Sequence, residues 1–249
     1  VEMLHTASLV HDDIIDDSPT RRHAESIQSR FGKDIAAYAG DYLFAVTFRT
    51  LADNTTDIET VRMATRYLER ILSGELTQRT NHYRTDMTIA DYEEQISGKT
   101  AALFVLAAKL GISASDAPDD FAELASDFAY NVGMAFQILD DMLDYQSDST
   151  TLGKPTLNDV REGVYSAPLI IAMQNNERIQ GLLAKQTEIT TAEAEELAQL
   201  VRDSGALDEA GDMAMRYTEA ALNYLDDMPE HESKDILFSI SRSLLSRND

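Results

Sequence analysis

Between about Asp119 and Tyr145 apolar side chains return every third or fourth position, at Phe121, Leu124, Phe128, Val132, Ala135, Leu139 and Met142. That interval matches the α-helical turn, and a strand cannot keep such a row on one face. The stretch is therefore a long helix with one side in a core. The same periodicity predicts a helix over the opening segment and further helices over roughly 33–52, 57–80, 88–110, 163–174, 192–203, 207–225 and 230–246. Breaks fall at Ser18-Pro19, Ala117-Pro118, Gly153-Lys154-Pro155 and Met228-Pro229, where proline or glycine stops a helix. Alternating β-branched runs, solenoid repeats and sustained heptads are absent, so the expected fold is all-α: one antiparallel bundle of long helices over residues 1–249.

Composition narrows the function. The chain carries 44 acidic against 21 basic residues, a formal charge of −23, which repels nucleic acid and anionic membranes at long range. It has no cysteine, which excludes a disulfide framework and thiolate metal sites. No signal peptide and no apolar run long enough to cross a bilayer are evident, so a soluble cytoplasmic protein is expected.

Two segments then stand out, Asp12-Asp13-Ile14-Ile15-Asp16 and Asp140-Asp141-Met142-Leu143-Asp144. Residues i and i+4 share a helix face, so Asp12 stacks on Asp16 and Asp140 on Asp144. Like charges in a row repel, and a cation is the natural compensation. Mg²⁺ suits them, since it takes one or two carboxylates and fills its shell with water and phosphate oxygens. Two rows facing each other would cage a metal-bound diphosphate. An acidic chain can carry such rows as solvated faces, but Leu9, Val10, Ile14 and Ile15 around the first, and Phe136, Ile138, Leu139, Met142 and Leu143 around the second, argue for buried helices. The acids lie on helix faces rather than in an EF-hand loop, which disfavours a Ca²⁺ buffer. His5 and Ser8 share the first stripe with Asp12 and Asp16, and Gly133 and Gln137 share the second with Asp140 and Asp144.

Basic residues lie near both rows in sequence. Arg21 and Arg22 follow the first row after a Pro-containing bend, and a guanidinium fork matches phosphate geometry. Lys99-Thr100 interrupts an otherwise uncharged run, and Lys154 follows the second row in a Gly-Lys-Pro turn.

These residues together resemble the trans-isoprenyl diphosphate synthases, or polyprenyl synthetases, from the first residue to the last helix. Leu9-Val10-His11-Asp12-Asp13-Ile14-Ile15-Asp16 with Arg21-Arg22 is similar to the family's first aspartate-rich motif, and residues 136–144 are similar to the second. Ala39-Gly40-Asp41, Gly74-Glu75-Leu76-Thr77-Gln78 and Lys99-Thr100 fall between them in the family's order. The resemblance implies an isoprenoid-synthase bundle with a central active-site cavity, and a Mg²⁺-dependent prenyltransferase that ionises an allylic diphosphate, joins it to isopentenyl diphosphate and releases pyrophosphate. It implies Asp12, Asp16 and Asp140 as Mg²⁺ ligands, and Asp13, Asp141 and Asp144 as second-layer or water-mediated ones. By the same resemblance Arg21, Lys99 and Lys154 surround the leaving group, Arg22 and His5 hold isopentenyl diphosphate, and Gln137 and Thr100 lie near the cation. The prenyl tail would run past Ser8, Ala7, Leu4 and Val1, where small residues leave the first turn open, so a medium- or long-chain all-trans product is expected.

Three departures from the family pattern stand in the chain. A Gly-Gly-Lys-Arg segment expected upstream of the first motif is not in it, so the N-terminal helices of the family are expected to be missing. His23 stands where glycine usually follows the arginine pair, and Val164 where lysine often occurs after Asp159. Assembly is expected to be homodimeric, because residues 33–52 carry more apolar surface than one bundle face needs. The competing readings are a partner or non-catalytic subunit of a heteromeric synthase, and a class I terpene cyclase. Both rows are complete, which disfavours the first, and the second row is not the longer motif of the cyclases.

Overall fold

The first acidic row closes the first helix. In the computed structural model, which describes residues 1–115, 117–146, 158–174 and 176–245, α1 runs Glu2–Ile15. It ends in a left-handed cap: Asp17 takes φ +52°, and the Ser18 N–H reaches back to the Asp13 carbonyl at 3.0 Å. A short antiparallel hairpin follows, β1 (Thr20–Arg21) and β2 (Ala24–Glu25), with Arg21 opposite Ala24. Its two-residue loop, Arg22-His23, has φ of +51° and +66°, the pair of positive angles that a tight hairpin needs to match strand twist. No alternation announced these strands, because two residues per strand are too few to alternate.

Next come α2 (Ile27–Phe31), capped by the Ser26 hydroxyl accepting from Ser29 N–H, then α3 (Lys33–Asn54) and α4 (Ile58–Thr80). The chain divides into two compact units, Val1–Tyr67 and the residues from Leu68 onward, and α4 leads from one into the next. Within the first unit α1 packs on α3, with α2 against both. A closely fitted contact sits at Gly40, where an added Cβ would stand 2.2 Å from Cε1 of His11. The His11 ring stacks on Phe44 at 5.5 Å between centroids.

In the second unit α5 (Ile89–Ile96) begins with a reciprocal cap between Thr88 and Asp91. A π-helical turn, Ser97–Ala101, joins it to α6 (Ala102–Ser113), so the single helix expected over 88–110 is broken in the middle. The long α7 (Asp119–Gln146) bears out the opening periodicity and is the hub of this unit. It is followed by α8 (Asn158–Glu162), α9 (Ala167–Met173), α10 (Glu177–Leu183), α11 (Thr191–Asp203), α12 (Ala206–Asp226) and α13 (Glu232–Leu245). α7 packs against α12, α6, the π turn, α13, α9, α11 and α5. Met134, Ile138, Leu169, Ile170, Leu182 and Leu197 are among the sealed side chains of the core so formed.

The helix expected over 163–174 starts later, because Gly163 takes φ +82° and lies against Tyr83, where a Cβ would meet the Tyr83 nitrogen at 2.7 Å. The chain then re-enters helix at Ala167-Pro168, proline being tolerated in a first turn. The region Ile89–Ser113 is long and apolar enough to cross a membrane by length and composition, contrary to the sequence expectation. Past Glu94 only Lys99 and Lys109 carry charge in it. In this fold Tyr92, Ile96, Ala101, Ala102, Val105 and Leu106 of that region are buried.

Candidate functional site

The first group of site residues is built on α1 and the hairpin. Asp16 caps α1, its N–H accepted by the Asp12 carbonyl at 2.9 Å, so these two aspartates are one helical turn apart at the helix end. Asp12 is half-buried and Asp16 exposed. Asp13 points the other way and is buried, and Arg21 places Nε at 2.8 Å and a terminal nitrogen at 2.6 Å on its Oδ1. Thus Arg21, expected on a diphosphate, also anchors the hairpin to α1. Arg22 reaches Glu2 at 3.1 Å across the exposed surface. His5 lies close enough to Glu2, Arg22 and Arg21 to feel their charges, and burial, the largest effect, lowers its pKa. The unit therefore brings His5, Arg21 and Arg22 together, with Glu2 as an acidic neighbour that the sequence did not single out.

The residue that precedes the row is fixed from α3. Gly40 lets His11 approach, and Asp41 Oδ1 meets His11 Nε2 at 3.1 Å, while Nδ1 sits 3.0 Å from the Ala7 carbonyl. The Gly-Asp pair of the Ala39-Gly40-Asp41 motif thereby fixes the residue immediately before Asp12. Of the positions expected to floor the tail, Leu4 and Ala7 are sealed, Ser8 is half-buried and Val1 is 42% exposed.

The second group is built where the π turn meets α4 and α7. A π turn carries one extra residue per turn and often marks functional positions. Glycines allow this one: a Cβ on Gly74 of α4 would stand 2.5 Å from the Lys99 nitrogen, and one on Gly133 of α7 would stand 2.7 Å from Ala101 Cα. Arg70 ties α4 to the turn through the Ser97 hydroxyl at 2.7 Å. Lys99 donates to Gln78 at 2.7 Å and pairs with Glu75 at 3.3 Å, which gives the Gly74-Glu75-Leu76-Thr77-Gln78 segment a physical role.

Thr100 donates to Gln137 Oε1 at 2.6 Å, and Gln137 donates to Asp141 Oδ1 at 2.8 Å. The other oxygen of Asp141 accepts from the Tyr92 hydroxyl at 2.7 Å. Burial pushes the Asp141 carboxyl up to about 7, opposed by the Tyr92 and Gln137 hydrogen bonds and helped by the charges of Asp159 and Asp140. Burial likewise raises the Tyr92 phenol, and Asp141 adds to it. Asp140 and Asp144 lie on the exposed side of α7. Tyr92 was not legible as a site residue, since its position in the apolar stripe of α5 reads as core. Lys154 lies outside the described residues.

Among the described residues no three Asp, Glu or His side chains converge to hold a metal ion by themselves. The carboxylates of Asp12 and Asp16, one turn apart at the end of α1, are hard oxygen donors of the kind that fit Mg²⁺, which completes its shell with water and substrate oxygens.

A predominantly helical chain in which one aspartate-rich row closes a helix and a second lies on the hub helix, with arginine, lysine and amide groups beside them, belongs to the isoprenoid synthase class of enzymes. A family model described as polyprenyl synthetase matches residues 1–203. A prenyl transferase of Cyanidium caldarium is 34% identical over 246 residues, covering 99% of this chain and 76% of that protein. The all-trans-nonaprenyl-diphosphate synthase (geranyl-diphosphate specific) of Rhodobacter capsulatus is 38% identical over 249 residues, covering 99% and 76%. The crystal structure of geranylgeranyl pyrophosphate synthase from Lactobacillus brevis superposes with a TM-score of 0.94 at 38% identity, covering 99% of this chain and 77% of that one. The chain is a member of the polyprenyl synthetase family, a prenyltransferase of the trans-polyprenyl diphosphate synthase kind.

Proposed function

We propose that this protein condenses an allylic diphosphate with isopentenyl diphosphate to a medium- or long-chain all-trans polyprenyl diphosphate and releases pyrophosphate. The observation that carries the reading is that both aspartate-rich rows are complete, with Asp12 and Asp16 stacked at the end of α1. Mg²⁺, when bound, would supply positive charge to the departing diphosphate, and Asp12, Asp16 and Asp140 would hold it. Asp144 would act through water.

Lys99 would shift its ammonium from Gln78 and Glu75 toward the leaving group, helped by Arg21 and Lys154. His5 and Arg22 would bind isopentenyl diphosphate, Arg22 exchanging Glu2 for phosphate oxygens. Thr100 and Gln137 would offer oxygen dipoles to the allylic cation. The attacking double bond of isopentenyl diphosphate forms the new carbon–carbon bond, and the proton then lost passes to the released diphosphate. Chain length would be set beneath the first row, where Ser8 is half-buried and would take a larger side chain more readily than the fully enclosed Ala7.

A second copy of the chain is the proposed partner. Phe31, Ile35, Tyr38 and Tyr42 are 55%, 55%, 77% and 67% exposed along α2 and α3, an apolar strip that a monomer leaves to water. Incubation with both diphosphates and Mg²⁺, followed by a pyrophosphate assay and chromatography of dephosphorylated products, tests the reading. Metal-dependent pyrophosphate with polyprenols beyond the farnesyl stage supports it. Pyrophosphate that appears only when a second protein is added would make the chain a subunit, and a cyclic hydrocarbon would make it a cyclase.

A further inference from the structure

Four side chains of the second unit form one unbroken chain of hydrogen bonds: Thr100 to Gln137, Gln137 to Asp141, and Tyr92 to Asp141, at 2.6, 2.8 and 2.7 Å. They come from three elements, the π turn, α7 and α5. The order of donors has a consequence. The amide of Gln137 turns its NH₂ to Asp141 and its carbonyl to Thr100. The Thr100 proton is then committed to Gln137, and whatever else meets the Thr100 oxygen meets lone pairs.

Tyr92 is the end of this chain and its brace. It is 1% exposed and its ring lies in the apolar core, so phenylalanine would fill nearly the same space. The hydroxyl is thus spent on Asp141 alone. With Oδ2 held by Tyr92, Oδ1 is left to Gln137, and the carboxyl cannot rotate without losing both bonds. Successive hydrogen bonds that run toward one anion polarise each other in the same sense, which enriches electron density on the Thr100 oxygen.

We propose that Tyr92 is a positioning residue of prenyl transfer. By fixing Asp141 it sets the Gln137 amide and makes the Thr100 hydroxyl an electron-rich acceptor toward the developing allylic cation. The inference rests on the function proposed above, and it assigns Asp141 to the orientation of Gln137 and Thr100.

The test is a kinetic cycle on the full chain with Tyr92→Phe, Thr100→Val and the double variant, measuring kcat, both KM values and the melting temperature. Tyr92→Phe is expected to lower kcat about tenfold, with each KM within about twofold and the melting temperature within a few degrees. Because Tyr92 acts through Thr100, the double variant is expected to be no slower than Thr100→Val alone within about twofold. An unchanged kcat, a loss confined to KM, or losses that multiply in the double variant would overturn the inference. If Tyr92→Phe does not fold, 3-fluorotyrosine at position 92 keeps the shape and strengthens the donor. A changed kcat at the same melting temperature then supports the brace, and an unchanged kcat rejects it. Wild-type protein that releases no pyrophosphate defeats the function itself and the inference with it. Active wild type with an indifferent Tyr92→Phe defeats the inference alone.

Discussion

Arg21 places two guanidinium nitrogens, at 2.8 and 2.6 Å, on one carboxylate oxygen of the buried Asp13. One residue that the sequence reads as a phosphate ligand therefore also holds the hairpin against the helix that carries the first acidic row. Arg21→Ala would leave Asp13 without this partner, and Arg21 is itself partly exposed, which weakens the pair by solvent screening. The expected loss is about 1–2 kcal/mol in denaturant unfolding, the scale of a hydrogen bond to a charged group. An unchanged midpoint would mean that the pair contributes nothing to the fold.

The π turn rests on backbone contact at Gly74. Gly74→Ala must push its methyl into the Lys99 and Gly98 backbone, at 2.5 and 2.7 Å, and backbone cannot step aside as a flexible side chain can. A loss of about 1–3 kcal/mol is expected, together with reduced turnover because Lys99 and Thr100 move. Gly111 and Gly181 are helical with nothing within 4 Å of an added Cβ, so alanine at either should stabilise by about 0.5–1 kcal/mol. Thermal melts of the three variants decide, and a tolerated Gly74→Ala would contradict the packing described for the turn.

The hairpin loop holds a non-glycine residue at a positive angle. His23 at φ +66° follows Arg22 at φ +51°, and an L side chain in that region costs about 1–2 kcal/mol. His23→Gly is therefore expected to raise the unfolding free energy by about 1 kcal/mol, and with it the midpoint, discounted for the extra freedom glycine gives the unfolded chain. A lower midpoint would show that the imidazole contributes a contact.

Acid sensitivity has a definite sign at the cap of α11. Lys185, then the Thr190 backbone and hydroxyl, hold the Glu193 carboxyl down at about 2, against an ordinary 4.5. A carboxyl with a lowered pKa in the fold takes its proton first in the unfolded chain, so its stabilisation is complete above pH 4.5 and drains away as pH falls toward about 2. Asp91 at the cap of α5 is shifted in the same direction by Thr88 and Arg84. Glu193→Gln should flatten the stability profile across that window, measured by urea unfolding at fixed ionic strength. A parallel profile would assign the acid loss to other groups.

Product length gives a test beneath the first row. Ser8→Phe is expected to shorten the polyprenol product, while Ala7→Phe should chiefly destabilise, because Ala7 is fully enclosed. Chromatography of dephosphorylated products from Ser8→Phe checks this, and an unchanged length would place the floor of the tail elsewhere.

Much of the fold could be read from periodicity, because α7 keeps one apolar face through its whole length and Pro or Gly marks most breaks. The short elements could not. α2 and the hairpin have too few residues to show a period, and the π turn looks like continuous helix because Gly98 alone betrays it. α9 was misplaced because a left-handed Gly163 is indistinguishable in sequence from a helical one. At the candidate site, spacing singles out Asp12, Asp16, Asp140 and Asp144 as candidates, since a helix converts i, i+4 into a shared face. Tyr92, Glu2, Asp41 and the partners of Lys99 needed the fold, because each acts across elements far apart in sequence. Gly40 is legible only once His11 is seen lying on it.

The central claim is that both acidic rows carry metal-dependent prenyl transfer, and it is tested most directly by turnover of Asp12→Asn and Asp140→Asn beside wild type. Pyrophosphate release from an allylic diphosphate and isopentenyl diphosphate is followed at saturating Mg²⁺. Each variant is expected to fold like wild type and to lose about a hundredfold or more in kcat. Near-wild-type turnover in either variant would contradict the claim for that row, and in both it would remove the metal site from the account altogether.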